Sequence, residues 1–358
     1  MTAWFDARVL DRWRVTAESL AFLRVLFASV ALLVAFPDWR WTTHLPHALW
    51  SPELGPMRLL PDAPPSSVLL LVQAGYAVAL VALLVGCRTT VASWSVALLG
   101  TFGSGVVYSS GNYEHGWLPF LMAGVMSFSG WGAAWSVDAA QGRARPVQAW
   151  PVAFLAWGLG LSMLSAAIPK VEAGWLHLGT HAVRGHLVDE YVVNNRRDLL
   201  AGQAMQITSG PLWEVLDYLT IVLEGGFVLA VLTVRGTRLF AAGAALFHLT
   251  VILVMDIAFL SNTLVYAAFV DWTAVTRRLR VHAGWLGHRL APAAVVLVGL
   301  AWALVCAGTG PPLVALVSLV SDRANLLVHL ALLVASGAVA VTYLGHEVRR
   351  VIRRTVPA

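Results

Sequence analysis

The sequence predicts an all-α integral membrane protein, a polytopic bundle of about ten transmembrane helices. The chain is 58% hydrophobic and only 12% charged, whereas a typical soluble domain carries about 25% charged residues. Its apolar residues gather in long runs, and its 16 tryptophans match the enrichment of Trp at membrane interfaces. These observations exclude a soluble globular domain.

Ten stretches come close to the roughly 20 mostly apolar residues that a membrane-spanning helix needs. They are 20–36, 68–85, 91–108, 117–135, 149–168, 212–234, 239–257, 258–275, 291–307 and 326–344. The first follows three arginines and resembles a signal peptide. Its apolar run is too long for one, and no small-x-small cleavage site follows, so we interpret it as the first span.

The distribution of basic residues orients these spans. With the N-terminus in the cytoplasm, the inner segments hold 16 basic residues and the outer segments hold 7. Because cytoplasmic loops carry the excess of Lys and Arg, we expect a multi-pass protein of the cell membrane with both termini in the cytoplasm. The net charge of +5 comes from short clusters instead of one basic stripe, so membrane lipids are expected partners and nucleic acid is not.

Lys170 is the only lysine in the chain, beside 23 arginines, and it lies at the outer end of the fifth predicted span. Arginine does not lose its proton in proteins, whereas a desolvated lysine can. Since arginine fills every other basic position, Lys170 is a candidate general base. The alternative is a lysine that snorkels to the interface. His115 precedes the fourth span on the same side and is a candidate to meet Lys170.

The ionisable residues that fall well inside predicted spans include Arg24, Glu224, His248 and Asp256. Such groups are costly in a bilayer and are normally paired inside the bundle. Glu224 and His248 lie near the middle of adjacent spans, so we expect them to share a polar network that holds helices together or lines a cavity. No metal is expected, because the two cysteines are far apart and no histidine spacing is typical of a zinc site.

Several motifs resemble, in the same order, the transmembrane part of vitamin K-dependent gamma-glutamyl carboxylase and its bacterial relatives, the horizontally transferred transmembrane (HTTM) domain proteins. Similar segments are the arginine-bearing 19–27, the histidine-bearing 112–118, the Trp-Ser-Val-Asp turn at 135–138, and 167–175, which resembles Lys-Lys-x-x-x-x-Trp with its second lysine at Lys170. Leu223-Glu224 and Phe247-His248 also match similar positions. The resemblance runs from about residue 16 to 275.

The resemblance implies a carboxylase-like transmembrane domain over residues 1–275, followed over 276–358 by two further spans and a basic tail. It implies an enzyme in which Lys170 deprotonates vitamin K hydroquinone or another lipid-soluble hydroquinone at the outer face. This deprotonation could be coupled to carboxylation or epoxidation. His115 would orient or polarise the substrate. The substrate site would be lined by Asn112, Trp117, Trp175, Glu224, His248 and Arg24.

The sequence departs from this family at several points. Pro169 replaces the first lysine of the pair, Tyr113 and Glu114 precede His115 where the family has two asparagines, and Val251 stands where the carboxylase has Asn. Two predicted spans follow the matched region in place of a large lumenal domain, which argues against carboxylation of peptide glutamate. The alternative function is a non-catalytic maturation or immunity factor for an exported peptide, as in sporulation-delaying protein B-like relatives.

We predict that the loop around Arg143 is cytoplasmic and that the loop 169–211 lies outside, because of the asymmetry in basic residues. In a chain carrying Cys87→Ser and Cys306→Ser, an Arg143→Cys variant should react with a membrane-impermeant thiol reagent only after the cells are permeabilised. An Asn195→Cys variant is the control and should react in intact cells. Labelling at position 143 in intact cells contradicts this orientation.

Overall fold

The computed structural model describes residues 12–52, 55–111, 116–279 and 292–355, and this part of the chain is helical with no β-strand. The α-helices are α1 (Ala17–Leu33), α2 (Ser66–Val85), α3 (Thr89–Tyr108), α4 (Leu118–Met126), α5 (Val137–Ala140), α6 (Trp150–Glu172), α7 (Ala182–Val192), α8 (Ala201–Met205), α9 (Gly210–Ala230), α10 (Val234–Met255), α11 (Leu260–Tyr266), α12 (Thr273–Leu279), α13 (Pro292–Thr309), α14 (Pro312–Ser318) and α15 (Ala324–Thr355). Short 3-10 helices cover Arg40–His44, His47–Leu49, Gly55–Leu59 and Ala267–Phe269. The predicted all-α fold class is confirmed.

Six helical segments in these described ranges are long and apolar enough to cross a membrane: α2, α3, α6, α10, Pro292–Ser318 and Ala324–Arg353. The predicted number of about ten is not confirmed. The apolar stretch 117–135 contains α4, whose nine residues extend about 14 Å at 1.5 Å per residue. A bilayer core is about 30 Å thick. The stretch 258–275 likewise contains the seven-residue α11.

The chain divides into two compact units, each discontinuous in sequence. The first comprises Trp13–Val152 and Val270–Asn325, and the second comprises Met1–Arg12, Ala153–Phe269 and Leu326–Ala358. This division by contacts differs from the division into 1–275 and 276–358, which stays a prediction.

In the first unit, α2 packs against α1, α3 and α13. Glycine permits the close approach of α13, because a Cβ at Gly299 would clash with the backbone of Val78 in α2. Helices in membranes commonly pack through such small residues. Gly86 ends α2 with a φ of 72°, a left-handed conformation that favours glycine.

Arg24 of α1 connects the end of α2 with the segment that follows α4. The residue is fully buried, and its guanidinium donates hydrogen bonds to the carbonyls of Leu83 (2.6 Å), Leu84 (3.0 Å), Trp131 (3.1 Å) and Trp135 (2.6 Å). These bonds use four of the five N–H groups of a guanidinium. The negative end of the α2 dipole also stabilises the cation. Arg24 therefore links these backbone segments to one another, and we call it the clasp of the first unit.

Asp138 of α5 holds the start of α3. Its carboxylate accepts hydrogen bonds from the main-chain N–H groups of Arg88 (2.9 Å) and Thr89 (2.7 Å) and from the Thr89 hydroxyl (2.8 Å). The Asp138 carboxylate thereby caps the N-terminus of α3. Burial, with the charge of Asp138 in addition, raises the pKa of the neighbouring Cys87 thiol, which keeps this thiol protonated at neutral pH.

In the second unit, α9 packs against α10 and α7, and α10 also contacts α7, α8 and α11. The buried residues of α9 are Trp213, Asp217, Thr220, Glu224 and Phe227. Their spacing of three and four residues is that of one helix face. Gly160 of α6 lies against Val228 of α9, so the buried face of α9 has a long helix close beside it.

We predict that Arg24→Met lowers the free energy of unfolding by at least about 2 kcal/mol. The carbonyls of Trp131 and Trp135 lose their buried donor, and each such loss costs about 1 kcal/mol or more. Thermal unfolding in detergent measures the effect. Arg349→Met, at an exposed position of α15, is the control and should change stability by no more than about 0.5 kcal/mol. Equal stability of the two variants contradicts the clasp.

Candidate functional site

The end of α6 and the buried face of α9 form an ion pair. Lys170 lies in the last turn of α6, and its ammonium donates to both carboxylate oxygens of Glu224, at 2.8 and 2.6 Å. It also donates to the Ala166 carbonyl at 3.3 Å. The Glu224 side chain is 10% exposed and the Lys170 side chain is 25% exposed. The carboxylate is therefore buried, whereas the ammonium is partly open.

Trp175 covers the ammonium from the segment that follows α6. The helix ends at Glu172, and Gly174 with a φ of 82° reverses the chain direction. The Trp175 N–H consequently donates to the Lys170 carbonyl at 3.1 Å, and the centre of its indole ring lies 5.6 Å from the Lys170 Nζ. This distance is within cation–π range. The ring of His186 lies 5.4 Å from the indole.

Residues 173–209 form a cap built on α7 and α8. Leu187 of α7 and Ala204 of α8 are buried in one cluster with Trp213 of α9. The Leu200 N–H donates to the Leu253 carbonyl of α10 at 2.8 Å. Apolar burial and this main-chain bond hold the cap on two long helices, so the segment next to Lys170 is part of the packed fold.

Asp217 joins the cap to α9. It is fully buried and accepts hydrogen bonds from the main-chain N–H groups of Ala182 (2.8 Å) and Val183 (2.7 Å) at the start of α7. His181 occupies the N-cap position of α7 without a side-chain capping bond. Asp217 therefore supplies the carboxylate that the N-terminus of α7 favours.

A second polar group lies in the same unit. His248 of α10 is buried, and its Nε2 lies 2.9 Å from the Tyr266 hydroxyl. The ring of Tyr266 stacks on the imidazole, with ring centroids 5.9 Å apart, and Asn262 of the same helix is also buried. Phe259 lies against the imidazole, with ring centroids 4.5 Å apart. His248 and Tyr266 therefore form a buried polar pair, and a network shared by His248 and Glu224 stays a prediction.

The structure brings three of the predicted site residues into contact, namely Lys170, Trp175 and Glu224. The carboxylate of Glu224 pairs with Lys170, a contact that the sequence analysis does not predict, since it expects Glu224 in a polar network with His248. These contacts show which side chains are neighbours. The roles of these residues in a substrate site stay predictions.

The other predicted site residues are not part of this contact group. Arg24 is the clasp of the first unit, and Trp117, directly before α4, is 40% exposed in that unit. Asn112 and His115 lie outside the described residues, so their predicted roles rest on the family resemblance alone. Among the residues that the structure describes, no group of three His, Cys, Asp or Glu side chains is arranged to hold a metal ion. The expectation of no metal stays a prediction.

Sequence reasoning missed Asp217, Asn262 and Tyr266. Asp217 has a signal in the sequence, since it precedes Glu224 by two helical turns and shares its helix face. Asn262 and Tyr266 are four residues apart, which also places both on one helix face. Asp256, which the sequence analysis puts inside a span, instead ends α10 with a φ of 54°.

The comparison with known proteins identifies one family. The family model described as the HTTM domain matches residues 13–272, which include every predicted site residue and more than half of the chain. No curated protein and no solved structure matches the chain.

We predict that Asp217→Ala lowers the free energy that holds the segment 173–209 on α9 by about 0.5–2 kcal/mol. This is the usual cost of losing a side chain that caps a helix N-terminus. Limited proteolysis in detergent should then cleave within residues 182–209 sooner than in the wild-type protein. Asp189→Ala, at an exposed position of α7 itself, is the control and should leave the cleavage rate unchanged. If Asp217→Ala and wild type are cut at the same rate, Asp217 does not hold the cap.

Proposed function

Because the chain belongs to the HTTM domain family, we propose that it is a membrane enzyme with an acid–base site at Lys170 and Glu224. The observation that carries the proposal is the contact of the only lysine with both oxygens of a buried carboxylate. The substrate class is a lipid-soluble hydroquinone, such as vitamin K hydroquinone, as the resemblance around Lys170 implies. The site would act at the outer face of the cell membrane, with both termini in the cytoplasm.

The pair can store and release a proton. In the ion pair, the ammonium has no lone pair with which to take a proton from a substrate. Transfer of one proton from the Lys170 Nζ to Glu224 leaves a neutral amine and a carboxylic acid. The amine then takes the proton of a substrate hydroxyl: the O–H bond breaks, an N–H bond forms, and the new ammonium stabilises the oxyanion beside it.

The surroundings of the pair support this division of roles. Lys170 is more exposed than Glu224, so a substrate has readier access to the amine than to the carboxylate. The Trp175 indole, itself buried, lies beside the ammonium and gives the pair an apolar neighbour. His115 and Asn112 would orient the substrate hydroxyl. In the carboxylase that the chain resembles, reaction with oxygen and addition of carbon dioxide follow such a deprotonation, which is the basis for proposing carboxylation or epoxidation here.

A non-catalytic role in handling an exported peptide is the second candidate. The cap favours it by exposing apolar side chains, with Leu178 84% exposed, Val193 71% and Val192 58%. A peptide with apolar residues could cover such side chains. In this role Lys170 would only anchor the end of α6, and its ability to lose a proton would not matter.

We predict that Lys170→Arg inserts and folds normally yet lowers hydroquinone turnover at least about 100-fold, the usual lower range of a general base's contribution. Arginine can still bind both oxygens of Glu224, but it does not lose its proton, so raising the pH should not restore turnover. Arg197→Lys, a cation exchange in the cap away from the pair, is the control and should keep full activity.

The assay is oxidation of a short-chain naphthohydroquinone by the purified protein, with the phenotype of a deletion strain as a second readout. Full activity of Lys170→Arg in the turnover assay would falsify the catalytic role of Lys170. A wild-type protein without turnover, whose Lys170→Arg variant still complements the deletion, favours the peptide-handling role.

A further inference from the structure

A cavity lies between the start of α10 and the last turns of α15, within the second unit. Its volume is about 300 Å³, which is at the lower end of the range for small-molecule sites. The residues that line it are Arg235, Leu239, Glu347, Val348, Val351 and Ile352. Four of these side chains are apolar and two are charged. None of them belongs to the candidate site at Lys170 and Glu224, so the cavity is a separate feature of the protein.

The sequence of α15 places this cavity along the membrane normal. Residues 324–344 contain no Asp, Glu, Lys or Arg, whereas residues 345–355 contain five of these charged residues. Charged residues that flank a spanning helix lie at the membrane surface, so the cavity lies at the level of the lipid headgroups. Val348 and Ile352, within this charged stretch, are 58% and 53% exposed. The cavity therefore combines an apolar wall with a charged rim.

The charges at the rim have an excess of one positive charge. The Nη2 of Arg235 lies 2.7 Å from one carboxylate oxygen of Glu347, and the Nη1 of Arg350 lies 3.7 Å from the other. Two guanidinium groups thus face one carboxylate. The side chains of Arg235 and Arg350 are about half exposed, whereas that of Glu347 is largely buried. Each guanidinium offers five N–H groups, so both arginines can bind a phosphate on their exposed side while Glu347 holds them in position.

We propose that this cavity binds an anionic phospholipid, with its phosphate on Arg235 and Arg350. One acyl chain of the lipid covers Val348, Val351 and Ile352. The single negative charge of the headgroup balances the excess positive charge of the rim. A soluble anion would leave the apolar wall uncovered, and an apolar peptide would leave the charge unbalanced. Basic pockets between spanning helices select anionic headgroups for the same reasons. The site is independent of the proposed function.

The experiment measures binding of single lipid molecules by native mass spectrometry of the purified full-length chain in a neutral detergent. The probes are palmitoyl-oleoyl phosphatidylglycerol, palmitoyl-oleoyl phosphatidylcholine and glycerol 1-phosphate. We expect the wild-type protein to bind phosphatidylglycerol at least about 5-fold more tightly than phosphatidylcholine, the factor that one basic residue contributes near a membrane surface. Glycerol 1-phosphate has no acyl chain and should bind far more weakly. Binding of this anion as tight as that of phosphatidylglycerol overturns the lipid as occupant.

Two variants with the same loss of charge test the position of the site. Arg350→Gln should bind phosphatidylglycerol about 5-fold more weakly, with phosphatidylcholine binding unchanged. Arg353→Gln, at an exposed position on the opposite side of α15 from Val351, is the control and should keep the wild-type preference. Arg235→Gln should repeat the loss, and if it does not fold, Arg350→Gln carries the test alone. Equal binding of the two lipids by wild type overturns the proposal, and so does an equal loss in the Arg350 and Arg353 variants.

Discussion

A charged side chain among apolar helices is stable only when the protein supplies the partners that water would otherwise supply. Arg24 and Lys170 meet this constraint in different ways. Arg24 is satisfied by main-chain carbonyls, so its charge fixes the course of the backbone in the first unit. Lys170 is satisfied mainly by a carboxylate and lies against an indole ring. Side-chain partners can exchange without unfolding a helix, which suits Lys170 to chemistry and Arg24 to structure.

One buried face of α9 organises the second unit, because its two carboxylates have different tasks. Asp217 accepts the N–H groups at the start of α7 and fixes the cap. Glu224, two turns further along, accepts the ammonium at the end of α6. The cap and the lysine therefore take their positions from the same rigid helix. Sites supported in this way by long helices hold their geometry better than sites built on loops.

The membrane fold could be predicted from composition because hydrophobicity is a sum over residues that needs no knowledge of contacts. The number of spans could not. The stretch 117–135 is apolar enough for a span, but α4 ends at Met126 and turns follow. Many of these residues are buried in the protein. The sequence alone does not distinguish an apolar run that other helices cover from one that faces lipid.

Pairings within the site were harder to predict than the residues themselves. A lone lysine and a mid-span carboxylate are visible in the sequence, whereas their contact spans 54 positions and depends on which faces α6 and α9 turn to each other. The sequence places Glu224 and His248 in one expected network because only their depths in adjacent spans can be compared. The contact changes the mechanism that we propose, in which Lys170 would act as a base only after its proton has moved to Glu224. In that proposal the buried carboxylate, rather than the lysine alone, controls when the base is free.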